Sequence, residues 1–197
     1  NRHVIHHSSE EFNLSCALRQ SISNNVKFSA IFLIPAALVG IPNYIFIVLG
    51  PKHLFLQFWY HTQLINKMGF LENILVTTSH HRVHHAVNSE YLDKNYSQIF
   101  IFWDKIFGTY QEEIESIPPI YGVLNPVNTW NPIIINYKHL WQMIIDCYHT
   151  KYLKNKLKIW FMPTGWRPDD VKLKYPINII NEPFNQQKYQ PYNSNPK

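Results

Sequence analysis

The sequence predicts an all-α protein, an integral-membrane helical hairpin carrying a cytosolic, histidine-rich, helical metal-binding cap. Three observations carry this expectation. Residues 28–50, FSAIFLIPAALVGIPNYIFIVLG, contain no charged side chain. Histidines recur in two matching groups, HVIHH at 3–7 and HHRVHH at 80–85. Arg2, Arg19, Lys27, Lys67 and Arg82 flank the apolar region, whereas its turn at 40–42 carries no charge.

Composition bounds the reading. A chain of 197 residues suits one ordinary domain. Hydrophobic residues make up 46% of it, yet mean hydropathy is −0.23, so the apolar residues are concentrated rather than spread. The formal charge of +5 comes from scattered Lys and Arg with no basic run, which disfavours nucleic acid and fits a basic face beside anionic lipid. Cys16 and Cys147 form neither a CxxC nor a disulfide framework. The chain opens NRHVIHH, with no Met and no signal-peptide pattern, and reads as an N-terminally truncated piece.

Element by element, residues 1–11 carry the first histidine group. Residues 12–27 are polar with helical apolar spacing. A bilayer span needs about 20 apolar residues, which 28–50 would satisfy as one helix. Pro35, Gly40, Pro42 and Gly50-Pro51 argue instead for a break at 40–42. That gives two helices, about 22–39 and 43–67, with a kink at Pro51. The second would be about 37 Å long. A single span would put the two histidine groups on opposite sides, whereas the hairpin puts them on one side. The flanking charges make that side cytoplasmic, and Lys52 must snorkel. Residues 97–108, SQIFIFWDKIFG, read as a short amphipathic helix ended by Gly108. A Pro- and Asn-rich loop fills 114–136. Residues 137–161 read as one interfacial amphipathic helix, and an irregular polar tail follows. The chain thus divides into 1–113, which holds the metal-binding unit, and 114–197.

His3, His6 and His7 have the spacing i, i+3, i+4, and His81, His84 and His85 repeat it, so each set lies on one face of a helix. His61, near the end of the long helix, is a seventh candidate. Imidazole suits Zn, Cu, Fe and Ni. Seven histidines without cysteine exceed one tetrahedral zinc and point to two metals and to iron and oxygen chemistry, with two zincs as the other solution. His80 breaks the spacing and is expected behind the ligands, as are Glu10, Asp93 and Asn95. Each of the last three has a plainer reading in capping or turn closure. His53, His139 and His149 read as ordinary histidines, and Asp104 as structural.

The strings HVIHHSSEEFNLSCALRQS, QFWYHTQLINKMGFLE and SHHRVHHAVNSEYLDKNYSQIFIFWDKIFGTYQEE resemble the fatty acid hydroxylase / sterol desaturase superfamily over residues 1–113. The likeness is greatest to its branch of alkylglycerol monooxygenases and bacterial sterol-desaturase-like proteins. The resemblance implies an integral-membrane, non-haem di-iron oxygenase that uses O2 to hydroxylate a lipid (an ether lipid, a sterol or a fatty acyl chain). It implies two Fe ions on His3, His6, His7, His61, His81, His84 and His85, with zinc as a possible substitute. It also implies an external electron donor, either tetrahydrobiopterin or a protein of cytochrome b5 or ferredoxin type. The membrane would be the endoplasmic reticulum in a eukaryote or the inner membrane in a bacterium. A further group, HxxxH, is expected a short distance before Asn1. The competing expectation is a non-catalytic metal-binding membrane protein.

Overall fold

Local signals start or stop four of the helices, Leu14–Leu18, Thr78–His85, Phe102–Phe107 and Pro132–His149. The structure, a computed structural model, describes residues 2–22, 31, 33–163 and 165–177. Helices α1 (Arg2–His7), α2 (Leu14–Leu18), α3 (Ile34–Leu38) and α4 (Asn43–Tyr60) lead to a 3-10 turn at Gly69–Asn73. Then come α5 (Thr78–His85), α6 (Phe102–Phe107), α7 (Pro132–His149), α8 (Leu153–Phe161) and α9 (Asp169–Lys174). Among the described residues, strand pairing is limited to two isolated bridges, Leu75 with Phe100 and Ala86 with Tyr121. The all-α class expected from the sequence is what forms.

Helix α5 starts at a capping box. Thr77 Oγ1 accepts from His80 N, and the Thr77 N–H donates back to His80 Nδ1 at 3.2 Å. Helix α2 is capped by Asn13, whose Oδ1 accepts from Ser15 N at 2.9 Å. Asn131 caps α7 with Pro132 at its first position. Helix α6 ends at Gly108, whose φ of 70° is open to glycine at little cost.

The core that positions the second histidine group is small. Val83, Ala86 and Tyr91 are buried together, with Ile114 and Ile117 packed against them. Residues 109–120 lie across α5 as a strap held by buried polar groups. The Tyr91 hydroxyl donates to Ile117 O at 2.7 Å and accepts from Ile114 N at 2.9 Å. Asn88 pairs with Pro118 O and Ile120 N. Asn95 donates to Gln111 O and accepts from Gln111 N. These bonds pair backbone groups that the half-buried, irregular strap cannot pair within itself.

The membrane hairpin is overturned, and with it the integral-membrane, membrane-bound and organelle expectations. Among the described residues no helix is long and apolar enough to cross a membrane. Helix α3 has five residues and α4 has 18, and α4 carries Lys52, His53 and Gln57 as well as Gly50 and Pro51. The chain does turn at Gly40, where φ is 82°, but it joins these shorter helices. Three of the cations read as flanking a bilayer pair within the protein: Arg19 with Ser8 Oγ, Lys67 with Glu112 and Arg82 with Glu113. Helix α4 packs against α2 and α5 rather than standing apart from them. The rest of the first hairpin arm, 23–30 and 32, lies outside the described residues.

The single helix expected at 137–161 is two, α7 and α8, packed on each other. The corner between them is pinned from a distance. The Asp170 carboxylate accepts from Thr150 Oγ1 at 2.9 Å, Lys151 N at 3.3 Å and Asn155 Nδ2 at 3.3 Å. Asp170 lies in the first turn of α9, which runs into the stretch after 170 read as an irregular tail. A buried ion pair, Arg167 with Asp146 at 2.6 Å, fixes the chain before α9 to α7.

Candidate metal centre

The i, i+3, i+4 spacing does what helical geometry requires: α1 and α5 each present three imidazoles on one face. His61, the residue that ends α4, supplies the seventh. The two sets interleave rather than forming one site per helix. His6, His61, His81 and His85 make one group and His3, His7 and His84 the other, and within each the nitrogens that would bind an ion lie within 4.8 Å of one another. His7 and His85 stack at 3.9 Å between ring centres and join the groups. This clustered site is capable of coordinating a metal ion.

The nitrogen contacts show that the residues fit an ion. His61 Nε2 is 3.0 Å from His6 Nε2 and 3.0 Å from His81 Nε2. His3 Nε2 is 3.0 Å from His84 Nε2 and 2.9 Å from His7 Nε2. An imidazole nitrogen has one N–H or one in-plane lone pair, so neither central nitrogen can make two good hydrogen bonds. Lone pairs converging on a shared point satisfy both contacts. The opposite ring nitrogens support this. His61 Nδ1 donates to Gln57 O at 2.7 Å, His6 Nδ1 to Arg19 O at 3.3 Å and His84 Nδ1 to Lys94 O at 3.3 Å. A proton held on Nδ1 leaves Nε2 bare, the arrangement that orients a metal-binding histidine. His85 Nε2 is buried with no hydrogen-bond partner among the described residues, a cost that an ion would remove.

Electrostatics favour the same state. Burial is the largest influence on all seven rings, and it lowers every one from the ordinary 6.5. His61 and His84 are each brought to about 4. Neighbouring imidazoles add to the effect at His7, His81 and His85, which lie well below 6.5. The seven rings are therefore neutral at pH 7, as ligands must be. The linkage has a definite sign. Between about pH 6.5 and about pH 4 the unfolded chain binds more protons than the folded one, so folded stability falls as pH drops through that window. The melting temperature of the metal-free protein, followed by circular dichroism from pH 7.5 to pH 4, is expected to fall mainly below pH 6.5. A flat profile there would show that the rings are not buried as neutral bases.

The other candidates lie at different distances from this centre. The His80 ring contacts Thr77 and Tyr110, so it serves the start of α5, and its Nε2 is buried without a partner among the described residues. Asn95 donates to His80 O at 3.2 Å and ties α5 to the strap, with φ of 52°. Asp93, with φ of 57°, accepts from the Tyr96 hydroxyl at 2.9 Å. Burial and Asp93 push that phenol up to about 12. Glu10 lines a separate cleft with Phe12, Gln63 and Tyr121. Asp104 accepts from Tyr96 N, Ser97 N and Thr109 Oγ1, a structural role.

Sequence reasoning missed several contributors. Phe12, 2% exposed, lies 5.2 Å from the His85 ring and 5.6 Å from the His61 ring, and it stacks on Tyr121 at 4.7 Å. It closes one side of the four-histidine group against water. The carbonyls of Gln57, Arg19 and Lys94 orient the imidazoles of His61, His6 and His84 through backbone atoms, which no side-chain identity announces. Glu113 carries no mark in the sequence, and Arg82 reads there only as a flanking cation. A cavity of about 620 Å³ opens on the centre. Its wall includes His3, His6, His61, His81 and His84, together with apolar Leu18, Leu54, Phe58 and Val76 and the neutral amides Gln20, Gln57 and Gln98.

Comparison with known proteins adds the following. The model of the fatty acid hydroxylase family matches residues 1–109. Alkylglycerol monooxygenase of Homo sapiens is 44% identical over 171 residues, which is 87% of this chain and 38% of that protein. The Danio rerio protein of that name is 42% identical over 87% of this chain and 37% of its own length. The Xenopus tropicalis one is 40% identical over 96% of this chain and 42% of its own length. The chain thus spans about two fifths of the length of these relatives. No solved structure matches.

Proposed function

We propose, for a chain that belongs to the fatty acid hydroxylase family, that the seven histidines hold two iron ions and that the centre is an O2-dependent oxidoreductase. The observation that carries this is the pairing of nitrogens at 2.9–3.0 Å around His61 and His3, each with more neighbours than hydrogen bonding can satisfy. His6, His61, His81 and His85 would hold one ion, and His3, His7 and His84 the other. Bound there, iron supplies the redox chemistry by which O2 attacks an unactivated C–H bond, chemistry no amino-acid side chain provides.

The residues of the chain do the rest. Nδ1–H bonds to backbone carbonyls hold the rings of His6, His61 and His84 in orientation. Phe12 excludes water from one side. Leu18, Leu54, Phe58 and Val76 offer an alkyl chain an apolar wall, while the amide of Gln57 offers a neutral hydrogen bond to an uncharged polyol end. An alkylglycerol, the compound named for the relatives, has both parts. Hydroxylation of R–H consumes one O2, two electrons and two protons and yields R–OH and water. The electrons come from an external donor, a reduced pterin or a protein of cytochrome b5 or ferredoxin type.

Anaerobic loading of the chain with Fe2+, followed by metal analysis and then by O2 with an alkylglycerol and a reduced pterin, tests the reading. Two irons per chain and O2-dependent loss of the alkylglycerol are expected. Fewer than two irons overturns the two-ion assignment, and two irons with no loss of substrate overturns the reaction.

A further inference from the structure

We infer that Arg82 and Glu113 are positioning residues for one of the two ions, the one assigned to His6, His61, His81 and His85. The inference rests on the two-ion reading above. Arg82 sits on α5 immediately after His81, yet its side chain turns away from the ligand face and is only 6% exposed. Its Nη1 donates to Thr62 O at 3.2 Å and to Ile65 O at 2.8 Å. Its Nε and Nη2 donate to the Glu113 carboxylate at 2.9 Å and 2.7 Å. Glu113 also accepts from Ser79 Oγ at 2.7 Å, and Thr78 Oγ1 donates to Ile65 O at 3.0 Å.

These bonds join three segments that meet nowhere else in the sequence: the backbone leaving His61, the helix that carries His81 and His85, and the strap at 109–120. The His61 ring is oriented by its bond to Gln57 O one turn back in α4, and the segment after it is also tied to Phe12 O by Gln63 Nε2 at 2.8 Å. The clamp, together with the Thr78 Oγ1 bond to Ile65 O, registers the segment leaving His61 against α5. The 3.0 Å separation of His61 Nε2 from His81 Nε2 depends on that register. None of these bonds reaches His3, His7 or His84. Arg82 therefore ties the His61 segment to α5, a link that the group of His3, His7 and His84 does not use. A planar guanidinium can bridge a carboxylate and two carbonyls at once, whereas an ammonium of the same charge cannot.

The test uses Co2+ as the probe, titrated into the metal-free chain and followed by its visible absorption. His61→Ala and His84→Ala assign the two binding steps to the two groups. Arg82→Lys is expected to weaken the His61 step by about 10–100-fold, the usual cost of losing a group that orients a ligand. It is expected to leave the His84 step, and its Co2+ spectrum, as in the wild type. Glu113→Gln is expected to act in the same direction to a lesser degree, and it carries the test if Arg82→Lys does not fold. Equal weakening of both steps marks general destabilisation and overturns the inference, as does no weakening of the His61 step. A wild-type chain that takes up fewer than two Co2+ overturns the two-ion reading itself, which separates the two failures.

Discussion

His61→Ala is expected to cost the four-histidine group its ion at stoichiometric iron and to abolish O2-dependent oxidation. The reason is position. The His61 Nε2 lies 3.0 Å from both His6 Nε2 and His81 Nε2, so it is the nitrogen the others share as a neighbour. Losing a residue that merely orients a ligand costs about 10–100-fold in metal affinity, and losing the ligand costs more than that. Iron analysis of the variant, loaded beside the wild type, should read one ion per chain where the wild type reads two. The metal-free variant carries a second expectation of opposite sense. His61 is 2% exposed, and its burial holds it neutral down to about pH 4. With that ring gone, one contributor to acid destabilisation is gone, so the metal-free variant should lose less of its melting temperature between pH 6.5 and pH 4 than the wild type. A residue kept for packing alone would give a lower melting temperature at all pH values and an unchanged iron count.

The histidines were legible because helical spacing is local. His3-His6-His7 and His81-His84-His85 announce their faces within five residues each, and Gly108 announces the end of α6 in the same way. The division into groups was not legible. His3 joins His84, and His6 joins His81, only because two helices distant in sequence face each other, and no pattern along one chain encodes that. The same holds for Arg82 and Glu113, 31 residues apart, where an arginine between ligand histidines looked like one more flanking cation. The bilayer reading failed for a related reason. Residues 28–50 are apolar in composition, but helix length depends on where the chain turns, and the turn at Gly40 is followed by a helix carrying Lys52 and His53. The corner at Thr150 was invisible because its hydrogen-bond acceptor, Asp170, comes 20 residues later.

Asp146→Ala is expected to destabilise the fold by about 3–5 kcal/mol, the range for a buried charge left without its partner. Arg167 and Asp146 have side chains 6% and 3% exposed, and both oxygens of the carboxylate are engaged, Oδ2 by Nε at 2.6 Å and Oδ1 by Nη2 at 2.7 Å. Gln142 Nε2 also donates to Oδ1, at 2.8 Å. Removing the carboxylate buries a bare guanidinium and strands the Gln142 amide together. For a chain of this size the loss corresponds to a melting temperature lower by roughly 6–20 °C. Joint replacement, Asp146→Leu with Arg167→Met, should recover most of it, because an apolar pair carries no desolvation cost. Recovery would show that the single variant fails through the orphaned charge and not through lost packing. The effect should also reach the metal centre. Helix α7 packs on α1, and Asn136 Oδ1 in α7 accepts from Ile22 N. Because α1 supplies His3 and His7 to the smaller group and His6 to the larger, a loosened α7 should weaken both Co2+ steps, most of all the one removed by His84→Ala. Arg82→Lys is expected to weaken the His61 step alone, so a Co2+ titration should distinguish the two ion pairs by whether one step weakens or both do.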